Sequence, residues 1–306
     1  MRSFAAAVLV LLAVLAARTA YADEDGQRFT LSWDGRVRSY LLYAPPNAGG
    51  KLPLVIALHG ASQDAASFAA ETQFAPAAAA MQMAVVFPDG SGSEPGRLSW
   101  NAHFCCGVGV AEKVDDIGFI GALIDRVAAT LPLDRDRVYA TGMSNGGMLS
   151  YQLAAAHPEW FAAIAPVSAT IGGTSRNGDR FVIAAPERPI AVMIIHGRKD
   201  PFVLFEGGSS ALISYPKRSN MGVGEALSFW TTADSCAPPP ASSEPEPGRL
   251  RRTVYDTCRD GSEIVFWEIE DGEHNWPADV RFPAPGGAPR SAAAEIVAFF
   301  ARHSRD

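Results

Sequence analysis

The sequence predicts an α/β fold: a single doubly wound, mostly parallel sheet of about eight strands flanked by helices. Three observations carry that expectation. Leu54-Val55-Ile56-Ala57-Leu58, Ala84-Val85-Val86-Phe87 and Pro189-Ile190-Ala191-Val192-Met193-Ile194-Ile195 are unbroken apolar runs, as strands buried on both faces of a parallel sheet require. Helical stretches separate such runs, so strands and helices alternate along the chain. Finally, Gly142-Met143-Ser144-Asn145-Gly146 joins the run Arg137-Val138-Tyr139-Ala140 to an Ala-rich helical stretch, a strand-turn-helix passage.

Met1–Ala22 reads as an export leader, with Arg2 at its start, an apolar run from Phe4 to Ala17 and the cleavage signal Ala20-Tyr21-Ala22. That run is shorter than the about 20 apolar residues a membrane span needs. The mature chain is expected to begin at Asp23, as one catalytic domain over 23–306, in a periplasm or outside the cell. Phe29–Trp33 and Val37–Tyr43 alternate apolar and polar residues around Asp34-Gly35, the pattern of an antiparallel hairpin. After the Leu54–Leu58 strand, Ala65–Met81 is helical in character with an interruption at Pro76. Ser91–Lys113 is long and irregular, and loops of that length in compact domains are frequently functional.

A helix is expected from Val114 to near Thr130, with Asp115 and Asp116 capping its first amides. Phe161–Val167 is a further strand, and Ser168–Arg188 a short polar excursion rather than a lid. Gly222–Ala233 reads as helix, Ala237–Gly248 as a Pro/Ser/Glu-rich surface loop, and Ile264–Ile269 as the last strand. Ser291–His303 closes the chain as an amphipathic helix.

Composition excludes several function classes. The 306 residues carry 26 basic against 33 acidic side chains, a net charge of −7, and losing Arg2 and Arg18 with the leader makes it more negative. That balance disfavours nucleic acid and anionic membrane as partners. The cysteines lack zinc spacing and no Gly-rich phosphate loop follows the first strand, so no metal and no cofactor is expected. Four cysteines in an exported chain read as disulfides, with three possible pairings. Cys236–Cys258 is preferred because it staples the base of the Pro-rich loop, while Cys105 and Cys106 either bridge each other or pair elsewhere.

Ligands of such sheets gather at the carboxyl ends of the strands. A serine on a sharp strand-to-helix turn projects its hydroxyl, and Gly142 and Gly146 allow the turn to pass close to its neighbours. A serine hydroxyl needs a base, and the base an orienting carboxylate. His274 follows the last strand and Asp200 follows the apolar strand ending in His196-Gly197, giving the order Ser144…Asp200…His274 of an α/β-hydrolase. Asp271 stands too close in sequence to orient the ring, and His59 is better suited to holding its own loop than to moving protons. The oxyanion donors are expected from the amides of Asn145, next after the nucleophile, and Ala61, after His59-Gly60. Trp100, Phe104, Phe202 and Trp276 are aromatic candidates for the substrate surface, with Trp100 and Trp276 foremost.

His59-Gly60, Trp100-Asn101, Cys105-Cys106-Gly107, Val114–Ile120, Gly142–Gly147, His196-Gly197…Asp200 and His274-Asn275-Trp276-Pro277, in this order, resemble the secreted poly(3-hydroxybutyrate) depolymerase-like esterases. These are similar to feruloyl and acetylxylan esterases. The resemblance spans nearly the whole mature chain and implies the same three residues, Ser144, Asp200 and His274. Where that family often has consecutive glycines, this chain has Asp271-Gly272-Glu273 before the histidine.

The expected activity is therefore hydrolysis of carboxylic esters through an acyl-enzyme on Ser144. Hydroxybutyrate oligomers or polymer are the first substrate class, and feruloyl or acetyl esters of plant polysaccharide the rival. A serine peptidase of the same fold is disfavoured by the lack of a propeller domain or an acidic pocket for an amino terminus. A non-catalytic binding protein would not need Ser144, Asp200 and His274 together.

Overall fold

Alternation in the amino-terminal hairpin is visible residue by residue. Strand β1 (Gln27–Trp33) alternates half-buried and exposed positions and pairs antiparallel with β2 (Arg36–Tyr43). Asp34 and Gly35 both have positive φ, the turn chemistry of a two-residue hairpin. The structure, a computed structural model, describes residues 26–46, 49–212, 218–239, 249–284 and 286–305. The leader expected over 1–22 and most of the Pro-rich loop lie outside these residues.

The remaining strands of the main sheet are β3 (Leu52–Leu58), β4 (Ala84–Pro88), β5 (Leu133–Met143), β6 (Ala163–Val167), β7 (Ala191–Gly197), β8 (Leu250–Tyr255) and β9 (Ile264–Ile269). Their order is β1-β2-β4-β3-β5-β6-β7-β9-β8, nine strands where about eight were expected. Strands β4, β3, β5, β6, β7 and β9 run parallel to one another, while β2 joins β4, and β8 joins β9, antiparallel. Every residue of β3, β4, β6 and β7 is buried, as the apolar runs require.

Helices are α1 (Ala65–Thr72), α2 (Phe74–Ala80), α3 (Asp116–Ala128), α4 (Asn145–Ala156), α5 (Val223–Ala233) and α6 (Ala292–Phe300). The period-2 alternation of the strands sorts the core into two layers. Leu54, Ile56, Ile164 and Ile194 face one layer with Leu123 of α3, Leu149 of α4 and Trp230 of α5. Val55, Ala57, Ala165 and Ile195 face the other, with Phe68 of α1, Phe74 of α2 and Phe299 of α6. The sheet is thus covered on both sides, an α/β-hydrolase architecture.

Three local expectations are corrected. The break in the Ala65–Met81 helix falls at Gln73, whose φ of 50° is left-handed, whereas Pro76 sits in the first turn of α2, where its missing N–H costs nothing. Asp115 does cap α3, accepting from the Gly118 amide at 2.9 Å. Asp116 instead forms a buried ion pair with Arg38 at 2.8 Å and accepts from the Asn101 amide at 2.7 Å. The irregular 91–113 stretch contains a two-stranded ribbon, Ser91–Gly92 with Leu98–Ser99, and the short helical turn Gly107–Ala111.

Candidate active site

β5 ends at Met143 and α4 starts at Asn145, leaving Ser144 alone at φ 52° and ψ −117°. A non-glycine residue costs on the order of 1–3 kcal/mol there, and the surrounding packing holds it in place. Gly146 lies against the Leu58 and His59 carbonyls, and a Cβ on Gly142 would come within 2.6 Å of the Gly146 backbone. Only glycine lets α4 approach β3 this closely. The Ser144 amide donates to Val167 O at 2.9 Å, tying the turn to the end of β6.

His274 follows β9 and Asp200 follows β7, strands that are direct neighbours. Their loops touch backbone to backbone: a Cβ on Gly272 would lie 2.8 Å from the Gly197 Cα, and the Lys199 amide donates to Gly272 O at 2.9 Å. The consequence is a chain of hydrogen bonds. His274 Nε2 lies 2.9 Å from Ser144 Oγ, and His274 Nδ1 lies 2.7 Å from Asp200 Oδ2. Asp200 Oδ1 accepts from the amides of Phe202 at 2.9 Å and Val203 at 2.8 Å. Burial by itself would raise the Asp200 carboxyl, but hydrogen bonds from His196 and His274 hold it well below the usual carboxylate range. The group is therefore an anion throughout the neutral range. Asp271 is engaged by Lys199 and Arg249 instead of the histidine.

Around Ala61 the loop after β3 is fixed on both sides. The Gly60 amide donates to Gln63 Oε1 at 2.9 Å and the Ser62 amide to Leu98 O at 2.8 Å. His59 Nδ1 donates to Gly60 O at 2.7 Å, while its Nε2 accepts from the Gly90 amide at 2.9 Å. Burial, opposed by the Gly60 hydrogen bond, lowers its pKa to about 4, so the ring is a neutral strut. Asn145, at the first position of α4, has an amide with no intrahelical acceptor.

Two expectations about aromatic residues are overturned. Trp100 is fully buried, and its indole N–H donates to His59 O at 2.9 Å. Trp276 is 3% exposed and packs edge-on against Phe68 and Phe74. Neither presents a face to a substrate: Trp100 braces the loop before Ala61, and Trp276 anchors the turn that carries His274. Phe104 is also buried. Phe202 differs, being 40% exposed with its ring centroid 5.3 Å from that of His274.

Sequence reasoning missed two side chains at the site. The Asn145 amide group binds the neighbouring loop, with Oδ1 accepting from Trp100 N at 2.7 Å and Nδ2 donating to Trp100 O at 3.1 Å and Cys105 O at 3.3 Å. His196 is 1% exposed, donates from Nε2 to Val203 O at 2.8 Å, and places the same nitrogen 3.4 Å from Asp200 Oδ2. The signal for His196 was its position four residues before Asp200 at a strand end. Cys236 is bridged to Cys258, and Cys105 to Cys106.

Residues 38–235 match the family described as "Esterase PHB depolymerase". NocK of Nocardia uniformis subsp. tsuyamanensis, whose assignment as an esterase is provisional, is 28% identical over 265 residues, 79% of this chain and 72% of the relative. Feruloyl esterase B of Piromyces equi is 26% identical over 222 residues, 72% of this chain, and the match spans only 39% of that longer relative. The solved structure of acetyl xylan esterase from Aspergillus awamori shares the fold, with a TM-score of 0.57 over 82% of this chain and 95% of that one at 15% identity. With more than half its length matched and its sheet order that of an α/β-hydrolase, the chain belongs to the esterase PHB depolymerase family of carboxylic ester hydrolases.

Proposed function

We propose that this protein is an exported serine esterase whose nucleophile is Ser144, whose general base and acid is His274, and whose orienting carboxylate is Asp200. The observation that carries this reading is the continuous hydrogen-bond path from Ser144 Oγ through His274 to Asp200. Ser144 Oγ attacks the ester carbonyl carbon while its proton passes to His274 Nε2. The amides of Asn145 and Ala61 receive the oxyanion of the tetrahedral intermediate. Collapse breaks the bond to the alcohol, which leaves with the proton from His274. Water then repeats the sequence against the acyl-enzyme, releasing the acid and restoring Ser144.

Esters of hydroxyalkanoates, as oligomers or polymer, are the proposed substrates, a reading that rests on family membership. Feruloyl or acetyl esters of plant polysaccharide are the second reading, favoured by the feruloyl esterase B and acetyl xylan esterase likenesses. Export rests on the Met1–Ala22 leader, with Asp23 as the mature amino terminus and 23–306 as the catalytic domain.

The test is turnover of a p-nitrophenyl ester series, methyl ferulate and a hydroxybutyrate oligomer by the wild type and Ser144→Ala. The variant is expected to lose about four to six orders of magnitude in kcat on every substrate. Undiminished turnover in Ser144→Ala would sink the assignment of the nucleophile, and the best wild-type substrate decides between the two ester classes.

A further inference from the structure

Arg218, beside the Cys105–Cys106 loop, is a cation to which the chemistry above gives no task. It precedes the short strand Ser219–Asn220, whose residues pair with Thr174 and Gly173. Two contact paths lead from this segment to the catalytic residues. On one side Arg218 Nη1 meets Cys105 Sγ at 2.8 Å and Cys106 Sγ at 3.4 Å, and Cys105 O is held by the side chain of Asn145, next to Ser144. On the other side Asn220 Nδ2 donates to Phe202 O at 3.1 Å, and the Phe202 ring lies against His274. The Arg218–Asn220 segment therefore bridges the Cys105–Cys106 loop and the loop that follows Asp200, with the guanidinium on the side of the two cysteines.

Its charge is unanswered among the described residues. Among the described residues no carboxylate lies within ion-pair distance of Arg218, although Arg28, Arg38, Arg198 and Arg249 all have one. Its acceptors among those residues are the two sulfurs, which are weak, and its Nε is enclosed without a partner. Burial, and then the like charge of Arg176, lower its affinity for the proton. A half-buried guanidinium costs stability unless something negative sits beside it. In a chain with 33 acidic side chains against 26 basic ones, a guanidinium with no carboxylate beside it among the described residues points to a ligand.

We propose that Arg218 recognises a free carboxylate carried by the ester substrate, so that the enzyme prefers half-esters and free-acid chain ends of hydroxy-acid oligomers over the matching neutral esters. The proposal deepens the esterase reading and rests on it. A carboxylate and a guanidinium are complementary in shape and charge, and a hydrogen bond between ions is worth about 1.5–3 kcal/mol. Discrimination of about 10- to 100-fold follows. Arg218 acts on binding, so the preference belongs in KM.

The experiment compares the monomethyl and dimethyl esters of succinate, glutarate and adipate, using wild type, Arg218→Gln and Arg218→Lys. Wild type is expected to favour at least one half-ester by about tenfold or more in kcat/KM, carried by KM. Arg218→Gln is expected to erase the preference and keep kcat on the dimethyl esters, with Arg218→Lys restoring part of it. Absence of the preference in wild type, its persistence in Arg218→Gln, or an equal loss on both ester types overturns the proposal. The esterase reading is separated by calorimetry of the half-esters on Ser144→Ala and on Ser144→Ala/Arg218→Gln. Binding by the first and not the second supports the carboxylate site whatever the nucleophile proves to be, and equal binding by both overturns it.

Discussion

Asp234 shows how far one carboxyl can be pushed by its surroundings. It is fully buried at the carboxyl end of α5, accepting from Ser262 Oγ at 2.7 Å and the Ile190 amide at 3.3 Å. Burial raises its pKa to about 6 despite those two hydrogen bonds, and the negative end of the helix opposes its charge as well. The folded protein therefore holds this proton more tightly than the unfolded chain does. Its contribution to stability is fully present below about pH 4 and is lost as pH rises through about 6. Asp234→Asn cannot titrate, so the variant is expected to gain on wild type by on the order of 2 kcal/mol between pH 4 and pH 7.5. Urea unfolding at several pH values checks this, and parallel curves for the two proteins would refute it. Residue placement was legible where it depends on chain order, as for Ser144, Asp200 and His274, which the fold brings into one hydrogen-bonded chain. It was not legible where it depends on which way a ring points. Trp100 and Trp276 lie beside catalytic segments in sequence, yet the sheet and helices enclose both, and no linear pattern distinguishes a bracing indole from a binding one.

Among the elements, α4 meets β3 with no room to spare. Gly146→Ala places a methyl group against the Leu58 and His59 carbonyls, which belong to the sheet and to the loop before Ala61. Neither carbonyl can yield without moving that loop. The expected result is a loss of about 3 kcal/mol in unfolding free energy, with a fall in kcat larger than the stability change explains. Denaturant melts paired with turnover at low temperature read both effects. The buried parallel strands were legible because each is a continuous apolar run. Strand β8 was not, because Leu250-Arg251-Arg252-Thr253-Val254-Tyr255 lies at the sheet edge with mostly half-buried side chains and carries two arginines. The Gln73 break in the α1–α2 stretch was equally hidden, since glutamine carries no signal for a left-handed residue and the nearby proline draws attention to itself.

At the scale of the whole molecule, the two helical layers clamp a sheet whose parallel strands deliver Ser144, Asp200 and His274 at one end. The Cys236–Cys258 bridge lies off this frame, joining the end of α5 to the end of β8 across a separation of 22 residues. Replacing both cysteines with alanine is expected to lower stability by about 3 kcal/mol and leave kcat on short esters unchanged, measured by urea unfolding and p-nitrophenyl acetate turnover. A drop in kcat would mean that the bridge acts on the Ser144–His274–Asp200 site. The tether from Asn145 has a different consequence. All three of its partners, Trp100 N, Trp100 O and Cys105 O, are main-chain atoms. The hold that Asn145 has on the loop beside the nucleophile therefore passes through main chain alone, beside the bracing that the Trp100 and Asn101 side chains supply. Exchange at an exposed position of the loop such as His103 leaves that hold untouched, so the surface beside Ser144 can change while the serine keeps its place.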